Sequence, residues 1–365
     1  MSDARFMRAT LALARRGLGR TWPNPSVGCL IVKDGMVVGR GWTQSGGRPH
    51  AETEALAHAG RNAKGADAYV TLEPCCHHGK TPPCTDALIA ADIRRAVIAV
   101  EDPDPRVAGK GIAALCAAGI TVELGLAADE AREINAGFMS SITRGRPLVT
   151  LKLATSLDGC LAVASGESRW ITGEAARARG HLLRATHDAV MIGSGTVIAD
   201  DPELTCRLPG LSDRNPVRVV IDGSLRVPLT ARVIADAKRL PTWFVVHHGA
   251  AADRRAALTG TGVDVIEAPS LPGGEIDLAA ALAALARKGI TRVLVEGGAT
   301  LAAALVRADL VDRIAWFRAP SLIGGDGRAA LDALGVAVPG EAPRFIRTGI
   351  EPIGDDVLET LYHAV

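Results

Sequence analysis

Three residues in the first quarter of the chain have the types and the order of a catalytic zinc site. His50 opens the tripeptide His-Ala-Glu, and Cys75 and Cys84 each follow a proline. One imidazole and two thiolates supply three protein ligands and leave a fourth tetrahedral position open, whereas structural zinc is usually closed by four protein ligands. The sequence therefore predicts Zn2+ held by His50, Cys75 and Cys84.

Glu52 lies two residues after His50 and is placed to move protons rather than to bind the metal. A carboxylate beside activated water can shuttle protons to a ring amine, and His-x-Glu followed by Pro-Cys pairs is typical of zinc-dependent base deaminases. Eight residues separate the two cysteines, more than in the usual motif. The alternatives are a chance cluster of reduced cysteines or a structural zinc site formed by Cys75, Cys76, His77 and Cys84. Because structural sites favour short paired spacings and four ligands, we favour the catalytic interpretation.

Composition favours a two-domain globular protein that acts on a small molecule. The 365 residues are 48% hydrophobic and 22% charged, as in ordinary globular proteins of more than one domain. With 41 basic and 40 acidic side chains the net charge is +1, and a nucleic-acid-binding protein usually shows a basic excess. We therefore expect a small-molecule substrate and no nucleic-acid partner.

The cysteines and the N-terminal residues suggest a compartment. The first residues show neither a secretory signal nor a membrane span. Seven cysteines, three of them clustered, fit a reducing environment. We expect a cytoplasmic homo-oligomer without membrane association. We also expect a small, buried, apolar role for Cys29, Cys116, Cys160 and Cys206.

Alternating strands and helices would position the zinc ligands. The first half predicts helices over residues 6–18, 50–59, 84–91, 110–118 and 127–142, and strands over residues 27–32, 36–38, 68–72, 96–100 and 120–124. This alternation predicts a three-layer α/β domain with the ligands at strand ends and helix starts. Residues 143–147 are polar and contain glycine and proline, which is typical of a linker. We therefore predict domains at 1–146 and 147–365.

The second half repeats the alternation. It predicts helices over residues 174–185, 278–287 and from 301, and strands over residues 148–154, 189–192, 217–221, 243–246, 293–295, 309–317 and 357–361. Glycines join a strand to a helix at residues 193–196 and 297–300. Such junctions can bind phosphate, although tight turns are commoner, and a dinucleotide fingerprint is absent. Lys152 interrupts an apolar strand, either as a solvated edge residue or as a cation directed into a cleft.

Several blocks resemble one family, the bifunctional riboflavin-biosynthesis deaminase/reductases. They are residues 23–28, 50–52, 73–84, 107–111, 152–159, 165–172, 195–197, 200–202 and 296–298. The resemblance implies a cytidine-deaminase-like domain followed by a dihydrofolate-reductase-like one. It also implies two reactions: zinc-dependent deamination of 2,5-diamino-6-(5-phosphoribosylamino)pyrimidin-4(3H)-one, and NADPH-dependent reduction of the ribosyl group of 5-amino-6-(5-phosphoribosylamino)uracil to ribityl.

The resemblance also implies roles for individual residues. His50, Cys75 and Cys84 would hold zinc, Glu52 would move protons, and Lys152 would be catalytic in the reductase. The deaminase pocket would be lined by Asn24, His77, Lys80 and Thr81. NADP would contact Ala154, Trp170, Thr196, Asp200, Gly298, Ala299, Thr300 and Leu301. The phosphosugar substrate would contact Ser168, Arg184, Leu204, Arg207 and Glu296. Departures from the family pattern are Glu54, Cys76 and Asp104.

Overall fold

The computed structural model describes residues 2–364 and divides into two compact units. The first ends at Gly145 and the second begins at Arg146. The division falls inside the segment between the helix that ends at Thr143 and the strand that begins at Leu148. Within residues 2–364, every helix is too short or too polar to cross a membrane.

The first unit is a five-stranded mixed sheet packed against helices. Its strands are β1 (Gly28–Lys33), β2 (Met36–Trp42), β3 (Asp67–Val70), β4 (Arg95–Ile98) and β5 (Thr121–Leu124). Its helices are α1 (Asp3–Ala14), α2 (Ala51–Ala59), α3 (Cys84–Ala90), α4 (Lys110–Ala117), α5 (Ala128–Ile134) and α6 (Ala136–Thr143). The strand order is β2-β1-β3-β4-β5, antiparallel around β1 and parallel from β3 to β5.

Two glycines show why this unit has three layers. A Cβ on Gly28 would lie 2.1 Å from the Thr10 carbonyl oxygen of α1, and one on Gly41 would lie 2.2 Å from the Ala51 carbonyl oxygen of α2. Gly41 is opposite Cys29 in the β1–β2 register, so it faces the side of the sheet away from Gly28. α1 and α2 therefore cover opposite faces, and only glycine permits so close an approach. The predicted three-layer fold is confirmed.

The helix predicted over residues 127–142 is two helices, and that prediction was wrong. The break falls at Asn135, which has φ −97° and ψ 12°. The buried Asn135 side chain accepts a hydrogen bond from the Ser26 backbone N–H at 2.9 Å. Ser26 lies just before β1, so this hydrogen bond joins the helix break to the start of the sheet. Asparagine side chains that bond to the backbone in this way often compete with the continuation of a helix.

The second unit is built on a nine-stranded sheet. The strands of this unit are β6 (Leu148–Thr155), β7 (Cys160–Ala162), β8 (Ala189–Gly193), β9 (Val217–Ile221), β10 (Thr242–His247), β11 (Asp264–Ala268), β12 (Arg292–Glu296), β13 (Arg313–Arg318), β14 (Arg328–Ala329), β15 (Phe345–Ile353) and β16 (Asp356–His363). Its helices are α7 (Glu174–Thr186), α8 (Ser194–Asp200), α9 (Arg232–Ala235), α10 (Ala252–Gly260), α11 (Leu278–Arg287) and α12 (Ala299–Arg307). The large sheet has the order β11-β10-β9-β8-β12-β6-β13-β16-β15, and β7 pairs with β14 separately.

Several details of the second unit differ from the sequence predictions. β6 lies between β12 and β13, so the interpretation of Lys152 as an edge-strand residue was wrong. β13 begins at Arg313 rather than at residue 309, because Asp309 has a left-handed φ of 55°. Cys116 is exposed, against expectation, while the other three cysteines expected to be buried are so. β7, α9, α10, β11, β14 and β15 have no counterpart among the predicted elements.

Candidate active sites

The three predicted zinc ligands come together in the first unit. His50 is the residue immediately before α2, Cys84 is the first residue of α3, and Cys75 lies in the loop after β3. His50 Nδ1 is 3.3 Å from Cys84 Sγ and 3.6 Å from Cys75 Sγ, and the three donor atoms all lie within 4.8 Å of one another. Tetrahedral zinc with ordinary bond lengths holds a nitrogen and a sulfur ligand about 3.6 Å apart. The donor set therefore fits zinc.

The same three donors decide between the two kinds of zinc site. Among the described residues, the His, Cys, Asp and Glu donor atoms close enough together to hold one ion are those of His50, Cys75 and Cys84. Cys76 and His77, which the structural alternative requires, are not part of this group. The Cys76 thiol is directed towards the Arg106 carbonyl oxygen, 3.8 Å away. Three protein ligands leave a coordination position open, which is the catalytic arrangement. The arrangement of the donor atoms therefore favours the catalytic site over a four-ligand structural site.

Burial and neighbouring thiols set the charges of this site. Cys84 donates a hydrogen bond to the Cys75 sulfur, which together with His50 lowers the pKa of Cys75 to about 4. A thiolate is the form that binds zinc. Glu52 is buried at the start of α2, and burial, then the charge of Cys75, raises its pKa to about 7. A carboxyl group that titrates near neutrality can both accept and donate a proton.

The predicted pocket residues surround the ligands to different degrees. The Asn24 side-chain amide donates to the Gly47 carbonyl oxygen at 2.9 Å and lies 3.5 Å from His50 Nε2. Thr81 accepts a hydrogen bond from Arg48. Nδ1 of His77 is buried without a hydrogen-bond partner among the described residues. Lys80 is exposed in the same loop.

Sequence reasoning missed Glu73, which organises the loop behind the ligands. Its buried carboxylate accepts backbone hydrogen bonds from Asp102, Gly109 and Ile112 at 3.0 to 3.2 Å. These bonds attach the start of α4 to the segment that carries Cys75. The signal in the sequence was the position of Glu73, directly after a buried strand and directly before Pro74-Cys75. A carboxylate buried there needs several hydrogen-bond donors.

In the second unit, Lys152 and Glu296 stand side by side on neighbouring strands. They are register partners in the parallel β12–β6 pair. The Arg184 guanidinium of α7 reaches Glu296 with two hydrogen bonds, of 2.6 and 2.8 Å. Burial alone would raise the pKa of Glu296, but Arg184 lowers it to about 2, and burial lowers the pKa of Lys152. The three side chains form one charged cluster inside the unit.

The loop after α8 carries the other predicted phosphosugar residues. The Thr205 carbonyl oxygen accepts from Arg184 at 2.8 Å, and the Arg207 side chain lies 3.3 Å from Glu203. The Leu204 side chain is buried in the hydrophobic core at a φ of 57°, so only its backbone can face a ligand. Ser168 is half-buried in the segment after β7.

The two glycine junctions predicted from the sequence face each other. A Cβ on Gly298 would lie 3.2 Å from Thr196 Oγ1, and both Gly297 and Gly298 have positive φ. Thr196, Gly297 and Gly298 thus form a cradle, because a side chain at either glycine would fill the space between the two junctions. Such a space suits the close approach of a dinucleotide phosphate to the backbone. Leu301 is buried beside Gly193, and the Thr300 hydroxyl donates to Asp332.

The remaining predicted cofactor residues lie on three segments. Ala154 is half-buried in β6 and Ala299 is the first residue of α12. Asp200 ends α8 and its carbonyl oxygen accepts from Arg169 at 3.4 Å. The Trp170 ring is 68% exposed and is stacked at 4.5 Å by the Arg177 guanidinium. An exposed aromatic face held by a cation is available to a planar ligand.

Comparisons with known proteins agree with both halves. Residues 1–100 match the cytidine and deoxycytidylate deaminase zinc-binding region, and residues 147–358 match the RibD C-terminal domain. The riboflavin biosynthesis protein RibD of Escherichia coli is 43% identical over 98% of both chains, and that of Bacillus amyloliquefaciens is 44% identical over 96% of this chain and 94% of its own.

Two solved structures of similar proteins have the same fold over nearly the whole chain. RibD of Acinetobacter baumannii has a TM-score of 0.89 at 40% identity, covering 99% of both chains. The diaminohydroxyphosphoribosylaminopyrimidine deaminase/5-amino-6-(5-phosphoribosylamino)uracil reductase of Thermotoga maritima has a TM-score of 0.86 at 32% identity, covering 99% of this chain and 98% of its own.

Fold and site define a zinc-dependent, cytidine-deaminase-like unit joined to an NADPH-dependent, dihydrofolate-reductase-like unit. The chain belongs to the RibD family of bifunctional deaminase/reductases of riboflavin biosynthesis. The predicted fold class, the two activities and the cofactors Zn2+ and NADPH are thereby confirmed.

Proposed function

We propose that this chain performs both reactions implied by its family on phosphorylated pyrimidines. The first is hydrolytic deamination of the diaminopyrimidine, and the second is NADPH-dependent reduction of the ribosyl group of the resulting uracil. Residues 1–146 would deaminate and residues 147–365 would reduce. The observation that carries the first assignment is the convergence of His50, Cys75 and Cys84, with the buried Glu52 two residues beyond the histidine.

In the deaminase site, His50, Cys75 and Cys84 would hold zinc, which would supply water acidic enough to act as a nucleophile at neutral pH. Glu52 would accept a proton from that water and donate it to the departing amine. Burial raises the pKa of Glu52 above its ordinary value and so towards the working pH, where a group that both accepts and donates a proton is most effective. Asn24, His77, Lys80 and Thr81 would orient the pyrimidine and its phosphoribosyl group.

In the reductase site, bound NADPH would supply the hydride. The cradle between Thr196 and Gly298 would hold its phosphates, together with Ala299, Thr300 and Leu301, while Ala154, Trp170 and Asp200 would contact the rest of the cofactor. Lys152 would lie beside the ribosyl group and would donate a proton or hydrogen bond to the ring oxygen, which takes the electron pair of its bond to C1′ as that bond breaks and C1′ accepts the hydride. Its lowered pKa supports that role.

The substrate of the reductase would be held by the neighbouring charged groups. Arg207 suits its phosphate because a guanidinium can donate two parallel hydrogen bonds to such oxygens, while Arg184, whose paired donors are bound to Glu296, would contribute its positive charge. Ser168, the Leu204 backbone and Glu296 would contact the sugar and the base. The near balance of charges along the chain supports a small-molecule substrate. A cytoplasmic homo-oligomer is part of this proposal, and seven free thiols support a reducing compartment.

One coupled experiment tests the proposal. Purified protein is incubated with NADPH and either the diaminopyrimidine or the deaminated uracil, and both ammonia and NADPH are followed. We expect NADPH oxidation at once with the uracil, and only after ammonia release with the diaminopyrimidine. Without NADPH the diaminopyrimidine should still release ammonia. NADPH oxidation that precedes ammonia release would overturn the proposed order.

A further inference from the structure

Arg226 is an exposed arginine beside the cradle formed by Thr196, Gly297 and Gly298. It lies in the loop between β9 and α9. Its guanidinium donates a hydrogen bond at 2.9 Å to the Oγ of Ser194, two residues before Thr196. Across residues 2–364 this is the one side-chain hydrogen bond of Arg226, and no carboxylate pairs with it. Because the residue is exposed, its remaining N–H groups are accessible to a ligand.

The loop fixes the backbone that carries Arg226. The buried carboxylate of Asp222 accepts hydrogen bonds from the backbone N–H groups of Arg226 and Val227, at 3.0 and 2.9 Å. On either side of Arg226, the side chains of Leu225 and Val227 lie in the hydrophobic core. Many NAD enzymes use an acidic residue to bind a ribose hydroxyl. Asp222 is not placed for that role, because it is buried and bonded within its own loop.

The strand order gives the direction in which a dinucleotide would lie. The neighbouring strands β9, β8, β12 and β6 are parallel, so their carboxyl ends follow one another along one edge of the sheet. The cradle lies where β8 and β12 end. Lys152 lies on β6, on one side of the cradle, and Arg226 follows β9, on the other side. With the nicotinamide near Lys152 and the pyrophosphate in the cradle, the adenosine half of the cofactor would extend towards Arg226.

We propose that Arg226 binds the 2′-phosphate of NADPH and thereby makes the reductase prefer NADPH to NADH. This rests on the proposed function, which places the cofactor in the cradle. The 2′-phosphate is on the adenosine ribose, and it is the group that distinguishes NADPH from NADH. A guanidinium is charged at every physiological pH and can donate two parallel hydrogen bonds to phosphate oxygens. One of its five N–H groups binds Ser194, which leaves others for the phosphate.

Calorimetric titration with 2′,5′-ADP and with 5′-AMP tests the proposal, because the two nucleotides differ only in the 2′-phosphate. We expect the wild type to bind 2′,5′-ADP at least about tenfold more tightly than 5′-AMP. Arg226→Gln keeps a donor but loses the charge. It should raise Kd for 2′,5′-ADP about 10- to 100-fold, the size of a lost hydrogen bond to a charged group, and change Kd for 5′-AMP less than about twofold. Arg226→Lys keeps the charge, and its Kd for 2′,5′-ADP should stay within about fivefold of the wild type.

Steady-state kinetics and a matched variant provide the controls. With the deaminated uracil as substrate, Arg226→Gln should raise KM for NADPH about 10- to 100-fold, while kcat and KM for NADH change less than about twofold. A general structural defect would instead affect both cofactors. Arg239→Gln is the matched variant, because Arg239 is an exposed arginine of the same unit that pairs with Asp236. It should bind both nucleotides as the wild type does.

Several results would overturn the inference. Equal wild-type affinity for 2′,5′-ADP and 5′-AMP would show that the 2′-phosphate is not recognised. Equal losses for both nucleotides in Arg226→Gln, or an equal loss in Arg239→Gln, would show a general effect. A lysine variant as weak as the glutamine variant would show that the charge is not what binds. If the wild type oxidises no NADPH with the uracil, the proposed function fails instead. The calorimetric comparison then still decides on Arg226, because it requires no turnover.

Discussion

Loss of the ion pair between Arg184 and Glu296 should change the free energy of unfolding of the second unit by an amount that can be worked out from the pKa of Glu296. The two side chains are only 14% and 13% exposed and share two hydrogen bonds. In Arg184→Met the buried carboxylate of Glu296 loses its main partner, while a side chain of similar length remains. Lys152 stays nearby and offsets part of the loss.

The magnitude follows from the pKa of Glu296. Its pKa is about 2 in the folded protein against an ordinary 4.5, and a difference of about 2.5 units corresponds to roughly 3 kcal/mol of stability at pH 7. Removal of one member of a buried pair commonly costs about 3–5 kcal/mol. We therefore expect Arg184→Met to destabilise the second unit by about 3 kcal/mol or slightly more.

The pH dependence has opposite signs in the two proteins. In the wild type the pKa is lowered by folding, so the stabilisation is present above pH 4.5 and is lost as the pH falls towards 2. In Arg184→Met burial dominates and raises the pKa of Glu296, so the variant becomes more stable as the carboxyl group is protonated. The difference between the proteins should therefore be largest at pH 7 and smaller at pH 4.

Hydrogen exchange read by mass spectrometry measures this difference unit by unit. Peptides covering β12 report the second unit, and peptides covering β1 should not change. Arg179→Met is the matched control, because Arg179 lies on the same helix but pairs with the exposed Glu351. Its cost should be below about 1 kcal/mol. Equal costs for the two variants, or a difference that grows on acidification, would refute the reasoning.

Three further predictions concern catalysis. Cys84→Ala should lose zinc and deaminase activity while Cys76→Ser keeps both, as measured by metal analysis and ammonia release; zinc loss in Cys76→Ser would show that the wrong thiol was chosen. Glu52→Gln should keep zinc and lose about 10²- to 10⁴-fold in deamination rate with unchanged reduction, and a near-normal rate would remove its role. Lys152→Ala should lower kcat/KM of NADPH oxidation roughly 10- to 100-fold, the size of a lost hydrogen bond to a charged group, and leave deamination intact. Unimpaired reduction would make Lys152 a structural residue.

The zinc centre was predictable because each of its ligands lies in a short motif that can be recognised in the sequence. His50, Cys75 and Cys84 are of residue types that together suit one metal, and short sequence signals place each at the start of a helix or the end of a strand. The choice between a catalytic and a structural site needed the fold. Cys76 follows Cys75 directly in the sequence and could therefore have been a ligand as well. In the structure its thiol points towards the Arg106 carbonyl oxygen and not towards the other donor atoms.

The reductase site was less predictable because its residues meet through long-range pairing. Strand periodicity indicated β6 and β12, but not that they are neighbours, so an edge position for Lys152 remained open. β15 was missed because it is an almost wholly exposed strand interrupted by Gly349 and Pro352, without the alternation that marks a half-buried strand.

The register of β6 against β12 explains how a cation can lie inside this sheet. Glu296 is the last residue of β12, and its partner Lys152 is only the fifth of eight residues in β6. β6 therefore continues for three residues beyond its pairing with Glu296, and because register partners carry their side chains on the same face of a sheet, Lys152 and Glu296 project to the same side. There Glu296 and Arg184 supply the charges that compensate one another. Compensating charges on one face of the sheet, rather than an edge position, therefore allow a lysine inside this otherwise apolar strand.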